Sequence, residues 1–185
     1  MSRILLIYSS KHGQTFAITQ RIAQRLRADD HDVEVHDASM GVFALPVPNA
    51  FDLVVLGSSV YFGKHARNIE AYVRTHRAQL GRRRSAFFSV SMSAGQAGAG
   101  ADPNGYLADT LGRLGWKPDA KIAFAGALRY PEYNWITRLV MKAIARRAGH
   151  PTDTSRVHVF TDNAIVDAFA VQLGRLVVVP PVIRA

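Results

Sequence analysis

Cysteine is absent from this chain, and its absence removes several chemistries at once. Disulfides, thiolate catalysis, iron–sulfur clusters and cysteine-based zinc sites are all excluded. No metal site is expected, and any redox work needs a bound cofactor. Also missing is an apolar run near the ~18 residues of a membrane span. Met1, Ser2 and Arg3 lead straight into a strand pattern with no signal-peptide profile. The expectation is a soluble or peripheral cytoplasmic protein. Acidic residues are few: 14 Asp and Glu stand against 23 Lys and Arg, a net charge of +9. That balance admits nucleic acid, an anionic membrane surface or an acidic small substrate, or simply a solvated basic surface. Neither the Walker A spacing nor the Gly-x-Gly-x-x-Gly dinucleotide fingerprint occurs.

What is present is enough for one core. Of 185 residues, 48% are hydrophobic, which suits a single domain over residues 1–176 with a tail over 177–185. Apolar runs at residues 3–8, 52–57 and 85–91 read as strands buried on both faces, and residues 32–36 alternate like a further strand. Residues 15–26, 68–80, 106–114, 133–148 and 163–176 carry helical spacing. Residues 93–105 are a Gly- and Ala-rich loop. Residues 121–127 and 156–160 read as strand, separated by an insertion over about 128–155. The alternation predicts a doubly wound α/β fold. Its parallel sheet has five strands in the order 2-1-3-4-5, with the insertion splitting the last strand position.

Three loops follow strands at the carboxyl edge of that sheet, where this architecture binds ligands. The first is Ser9, Ser10, Lys11, His12, Gly13, Gln14 and Thr15, running directly into a helix. Hydroxyls, backbone N–H groups and a helix N-terminus suit a phosphomonoester, with Gly13 letting the backbone turn close to it. The plain alternative is a helix cap in which one Ser or Thr supplies a single hydrogen bond. The second loop contains Ser59, Val60, Tyr61, Phe62 and Gly63, whose adjacent aromatics suit stacking on a flat ring or merely pack locally. The third starts at Ser91 and Met92. Just beyond the second loop stand Lys64, His65 and Arg67. His12 and His65 sit in loops suited to a proton acceptor, but a lone loop histidine is more often a surface residue, and no catalytic base is assigned.

The pattern Ser9-x-x-x-Gly13-Gln14-Thr15 after the first strand resembles the flavodoxin family. Further segments are similar to the flavodoxin-type, quinone-dependent protoporphyrinogen IX dehydrogenases. These are residues 57–63, residues 116–119 (WKPD), the block ALRYPEYNWITRLVMK at 127–142, and the later 152–154 (TDT) and 161–162 (TD). The resemblance implies FMN as cofactor and oxidation of protoporphyrinogen IX to protoporphyrin IX in haem synthesis. It implies transfer of electrons to a membrane quinone, menaquinone or ubiquinone. It also implies a peripheral position on the inner face of the cell membrane, against an anionic lipid surface, and leaves a homo-oligomer open. On that reading the named loop residues hold the cofactor, and Lys64, His65, Arg67 and Arg129 are candidates to meet the substrate's propionates, or are simply solvated surface charges. Tyr130, Tyr133 and Trp135 either pack on its macrocycle or form the core of the insertion. Arg138, Lys142 and Arg146 recur every four residues beside an apolar face of Ile136, Leu139, Val140, Ala143 and Ile144. That helix suits a membrane interface or ordinary packing on the sheet. The alternatives are a flavodoxin-like electron carrier, an NAD(P)H:quinone reductase, or a basic nucleic-acid-binding module. The basic charge disfavours the carrier and the three converging loops disfavour the nucleic-acid binder.

Overall fold

The computed structural model describes residues 1–96, 98, 100–132, 134–147 and 152–178. Five strands build the main sheet: β1 (Arg3–Ser9), β2 (Asp32–Asp37), β3 (Leu53–Tyr61), β5 (Arg84–Ser91) and β6 (Ala120–Ala125), in the order β2-β1-β3-β5-β6. All four pairings along this path are parallel. This is the expected 2-1-3-4-5 order. Successive residues of each strand enter opposite faces, as the two-residue period of a strand requires. Ile4 and Leu6 of β1 enter one core with Ile18, Ile22, Val166 and Phe169 from helices α1 (Gln14–Ala28) and α5 (Asn163–Val178). Leu5 and Ile7 enter the other with Tyr72, Val73, Leu107 and Leu111 from α2 (Arg67–Arg82) and α3 (Tyr106–Leu114). Burial on both faces is why these strands read as unbroken apolar runs.

Several boundaries differ from expectation, each for a local reason. β3 does not stop at Gly57 but runs to Tyr61 and folds back antiparallel as β4 (Lys64–His65). The intervening Phe62 and Gly63 both have positive φ, 48° and 74°, the signature of a two-residue type I′ hairpin. At the other edge of the sheet, the strand expected at 121–127 breaks at Gly126. β7 (Ala127–Arg129) then pairs antiparallel with β8 (Val157–Val159), forming a separate two-stranded sheet at the base of the inserted segment. The returning strand therefore runs against β7 instead of rejoining the parallel sheet. Helix α4 (Trp135–Arg147) lies between them. The expected helix start at Tyr133, its end at Ala148 and the stop at Gly149 and Pro151 lie outside the described residues. α5 extends past the expected 176 to Val178, because Val177 still packs on the core. The rest of the expected tail, 179–185, also lies outside the described residues.

Candidate functional site

The first strand delivers Ser9 to the carboxyl edge, and α1 begins at Gln14 with Gly13 as its cap residue in the left-handed region, φ 78°. No side chain caps this helix, so the simple N-cap alternative does not hold. The first-turn N–H groups are left to an external acceptor. Beside them, Ser10 Oγ and Thr15 Oγ1 are buried atoms with no hydrogen-bond partner, and Thr15 is only 1% exposed. Thr19, one turn on, satisfies its hydroxyl by donating to Thr15 O at 2.8 Å. Two orphaned hydroxyls at an uncapped helix N-terminus form a donor set that fits an anion.

The same loop is tied to the far side of the edge. Gln14 Nε2 donates to Thr161 Oγ1 at 2.8 Å, and Thr161 Oγ1 donates to Ala125 O at 2.5 Å. Gln14 therefore braces the loop against the end of β6 and the segment after β8. Arg129 also comes here. A β-carbon built on Gly13 would lie 3.8 Å from Arg129 Cζ and 3.9 Å from its Nη2. The guanidinium thus stands over the glycine of the first loop.

In the second loop the hairpin aims its aromatics outward. Phe62 is 79% exposed in a backbone conformation that a bulky residue adopts only under strain. Its ring meets that of Tyr61 edge-on at 4.5 Å. Lys11 Nζ lies 3.4 Å from the centroid of the Tyr61 ring. The flexible Lys11 stem must swing aside before a flat ligand stacks on that face. His12 is half-buried, its ring 6.1 Å from Tyr61. Ser59 and Val60 are half-buried in β3, Val60 opposite His65. Gly57 is fixed by packing: a β-carbon there would sit 2.1 Å from Phe88 Cζ.

The third loop contributes less open surface than expected. Ser91 is buried, its Oγ accepting from Ala94 N at 3.2 Å and lying 3.1 Å from Ser93 Oγ. Met92 packs against the small cluster of Leu128, Tyr130 and Ala145 beneath the insertion. Tyr130 itself is fully buried there. Its ring offers no surface to a macrocycle, and of the two readings the core of the insertion is the one that holds. Tyr133 lies outside the described residues, whereas Trp135 is 76% exposed.

A cleft of about 950 Å³ opens between the first two loops and α2 and α3. Ser9, Ser10, Lys11, Ser59, Tyr61 and Gly63 line one side; Lys64, Arg67, Tyr106, Asp109, Thr110 and Arg113 line the other. His65 and Glu70 also contribute. The surface expectation for His65 is corrected by its environment. It is buried, with Nδ1 2.9 Å from Thr110 Oγ1 and Nε2 2.8 Å from Ser89 Oγ. Burial pulls its pKa down to about 4, against the smaller upward pull of Glu70 and Asp102. The imidazole is thus neutral at physiological pH and bridges β4, α3 and β5. Glu70 accepts two bonds from Arg113, each 2.8 Å, and one from Arg74 at 2.9 Å. The Arg113 bonds hold its carboxyl below the usual range. Sequence reading missed Glu70, Thr110 and Arg113. The visible signal was the spacing Tyr106, Asp109, Thr110, Arg113, which places all four along one side of a helix.

The inserted helix also departs from expectation. Arg138 turns inward, its Nε donating to Tyr130 O at 3.1 Å. Leu139 is 65% exposed and Ala143 is exposed too, so the expected apolar face is not all packed against the protein. Trp135, Leu139, Lys142 and Arg146 instead share one exposed stripe.

Comparison with known proteins decides the family. The Flavodoxin domain profile matches residues 5–155. The chain belongs to the flavodoxin family. Membership implies a flavin cofactor. The chain is 31% identical over 175 residues to protoporphyrinogen IX dehydrogenase (quinone) of Escherichia coli K12, covering 94% of this chain and 96% of that protein. To the protein of the same name from Leishmania major it is 33% identical over 186 residues, covering 97% and 78%. Among solved structures, a flavodoxin from the domain Archaea superposes with a TM-score of 0.55 at 15% identity, covering 95% of this chain and 98% of that one. Oxidised flavodoxin 1 from Bacillus cereus gives 0.53 at 15% identity, covering 96% and 97%. These two establish the fold of this flavodoxin-family protein.

Proposed function

We propose that this flavodoxin-family protein binds FMN and oxidises protoporphyrinogen IX to protoporphyrin IX, passing the electrons to a membrane quinone. The observation that carries this reading is its near-full-length similarity, at 31% and 33% identity, to two proteins named for that reaction. The structure supports it through the donor set of the first loop. Ser10, Thr15 and the free first-turn N–H groups of α1 would take the phosphate. Tyr61 and Phe62 would flank the ring system, with Lys11 displaced from the Tyr61 face. When bound, the flavin supplies the two-electron acceptor for substrate and donor for quinone, so three turnovers remove six electrons.

The chain's own residues position and balance charge. Lys64 and Arg67 are exposed at the cleft and would meet propionates, an acidic partner that suits a net charge of +9. Arg113 adds positive charge but is already engaged by Glu70, so it serves the wall of the cleft first. His65, neutral and hydrogen-bonded at both nitrogens, holds α3 to the sheet. It is not poised to take a proton.

Peripheral attachment to the inner face of the cell membrane belongs to the same reading. Its support is the exposed stripe of Trp135, Leu139, Lys142 and Arg146, apolar at one end and basic at the other. No described helix is long and apolar enough to cross a membrane. The test of activity is anaerobic mixing of FMN-loaded protein with protoporphyrinogen IX. Bleaching of the visible flavin band, then recovery on adding a quinone analogue, is expected. A flavin that stays oxidised overturns the substrate assignment. Bleaching by NADPH alone would favour a quinone reductase instead. Co-sedimentation with anionic vesicles, weakened by Trp135→Ala, tests the membrane contact. Equal binding to neutral and anionic vesicles would refute its electrostatic part.

A further inference from the structure

The inserted segment carries a cation into the phosphate loop. Arg129 ends β7, and its neighbours on either side, Leu128 and Tyr130, are 1% and 0% exposed. Both are anchored in the small cluster under the insertion with Ala145. Strand alternation then sends the Arg129 side chain to the opposite face. That face is the first loop, where its Cζ stands 3.8 Å from a β-carbon built on Gly13. The strand that bears it is fixed at several points. Arg129 pairs with Val157 of β8, Gly126 N donates to Ser91 O at 2.9 Å, and Phe160 N donates to Gly126 O at 3.1 Å. The Gln14–Thr161 bond holds the loop itself to the segment following β8. The guanidinium is therefore delivered to the loop by a rigid strand.

Around the same point lie Ser10 Oγ and Thr15 Oγ1, buried and unpartnered. Helix α1 opens there with no acidic residue in its first turn and no side-chain cap. Hydroxyl donors, a helix N-terminus and one guanidinium are the groups that recognise a phosphomonoester dianion. Sequence resemblance placed Arg129 with the substrate's carboxylates; its position over Gly13 points elsewhere.

We propose that Arg129 is a phosphate-binding residue, supplying the charged contact to the phosphomonoester end of the flavin and so tying cofactor retention to the base of the inserted segment. The inference rests on the reading that the first loop holds a flavin phosphate. Gly13 supplies the left-handed backbone that brings the loop beneath the guanidinium.

The experiment is a titration of apoprotein with FMN and, separately, with riboflavin, which lacks the phosphate, following flavin fluorescence. Wild type is expected to bind FMN much more tightly than riboflavin. Arg129→Gln is expected to weaken FMN by about tenfold or more while changing riboflavin by less than about twofold. Arg129→Lys should recover part of the loss, since charge survives but the planar fork does not. Equal weakening of both ligands, or no change in either, overturns the role of Arg129 and leaves the loop reading standing. Wild type that binds riboflavin as well as FMN overturns the loop reading and this inference together. Should Arg129→Gln fail to fold, amide exchange in wild type decides. Slowing of residues 127–129 by FMN but not by riboflavin supports the contact, and equal slowing by both overturns it.

Discussion

Thr15→Val separates the needs of the empty loop from those of the loaded one, and the two predicted effects have opposite sign. The hydroxyl is buried and lacks a partner, so in the apoprotein its desolvation is uncompensated, a cost of about 1–3 kcal/mol. Valine keeps the branched shape while removing that oxygen. The apoprotein is therefore expected to gain about 1 kcal/mol, raising its Tm by roughly 2–4 °C for a chain of this size. The net difference between holoprotein and apoprotein, a lost hydrogen bond to a charged group, is about 1.5 kcal/mol, so FMN binding weakens by about tenfold. At a ligand concentration of about 100 times the wild-type Kd, stabilisation by FMN falls from about 2.7 to about 1.4 kcal/mol. Thermal melts of wild type and variant, with and without FMN, measure all of these. Ser10→Ala serves as a second probe of the same orphaned donor set. An apoprotein that is destabilised by Thr15→Val while its FMN affinity is unchanged would refute the reasoning. It would mean that the hydroxyl serves the protein rather than a ligand.

Gly57→Ala is expected to destabilise by about 1–3 kcal/mol, because the new methyl would fall 2.1–2.7 Å from three atoms of the Phe88 ring. Combining it with Phe88→Leu should cost less than the sum of the two, as read from urea midpoints. Strict additivity would show that the ring is not the obstacle. Phe62→Gly removes an aromatic from φ 48° and should stabilise the apoprotein by up to about 1 kcal/mol while weakening flavin binding. A variant that is less stable and binds flavin normally would reverse the assignment. His65, with its pKa lowered to about 4, binds more protons unfolded than folded between about pH 6.5 and pH 4. Its contribution is complete above pH 6.5 and is lost as pH falls through that window, by up to about 3 kcal/mol. Denaturation across this range should show the loss in wild type and a flatter profile in His65→Gln. An imidazole NMR titration midpoint near 6.5 would contradict it.

The parts of the fold legible in the sequence were those where one physical signal dominates. The central strands are buried on both faces, so their composition is continuous and apolar, and the helices between them carry an undisturbed 3.6-residue period. What the sequence hid depends on pairing direction. Residues 121–127 look like one strand because nothing in their composition marks Gly126 as the point where the chain leaves the parallel sheet. The hydrogen bonds of Gly126 to Ser91 and Phe160 fix that break. Likewise, the glycines and aromatics of residues 57–63 suggested an open loop. The positive φ values of Phe62 and Gly63 make it a hairpin, and Phe-Gly is a poor sequence signal for a type I′ turn.

The site shows the same division. Ser10, Gly13 and Thr15 were visible because a phosphate loop is continuous in sequence. The cleft wall is not: His65, Glu70, Thr110 and Arg113 meet across 48 residues through α2, α3 and β4. Each alone is an ordinary polar residue. Arg129 is the sharpest case. Resemblance sends this cation to the substrate's propionates, whereas two buried neighbours fix which way the strand faces and turn it to the first loop. A substitution that keeps the charge at 129 but frees the strand should therefore be more damaging to FMN binding than its chemistry predicts. Leu128→Ala is the test. It leaves Arg129 intact yet removes one of its anchors, and it should weaken FMN more than riboflavin. An unchanged ratio would mean that the guanidinium finds the loop without being held there.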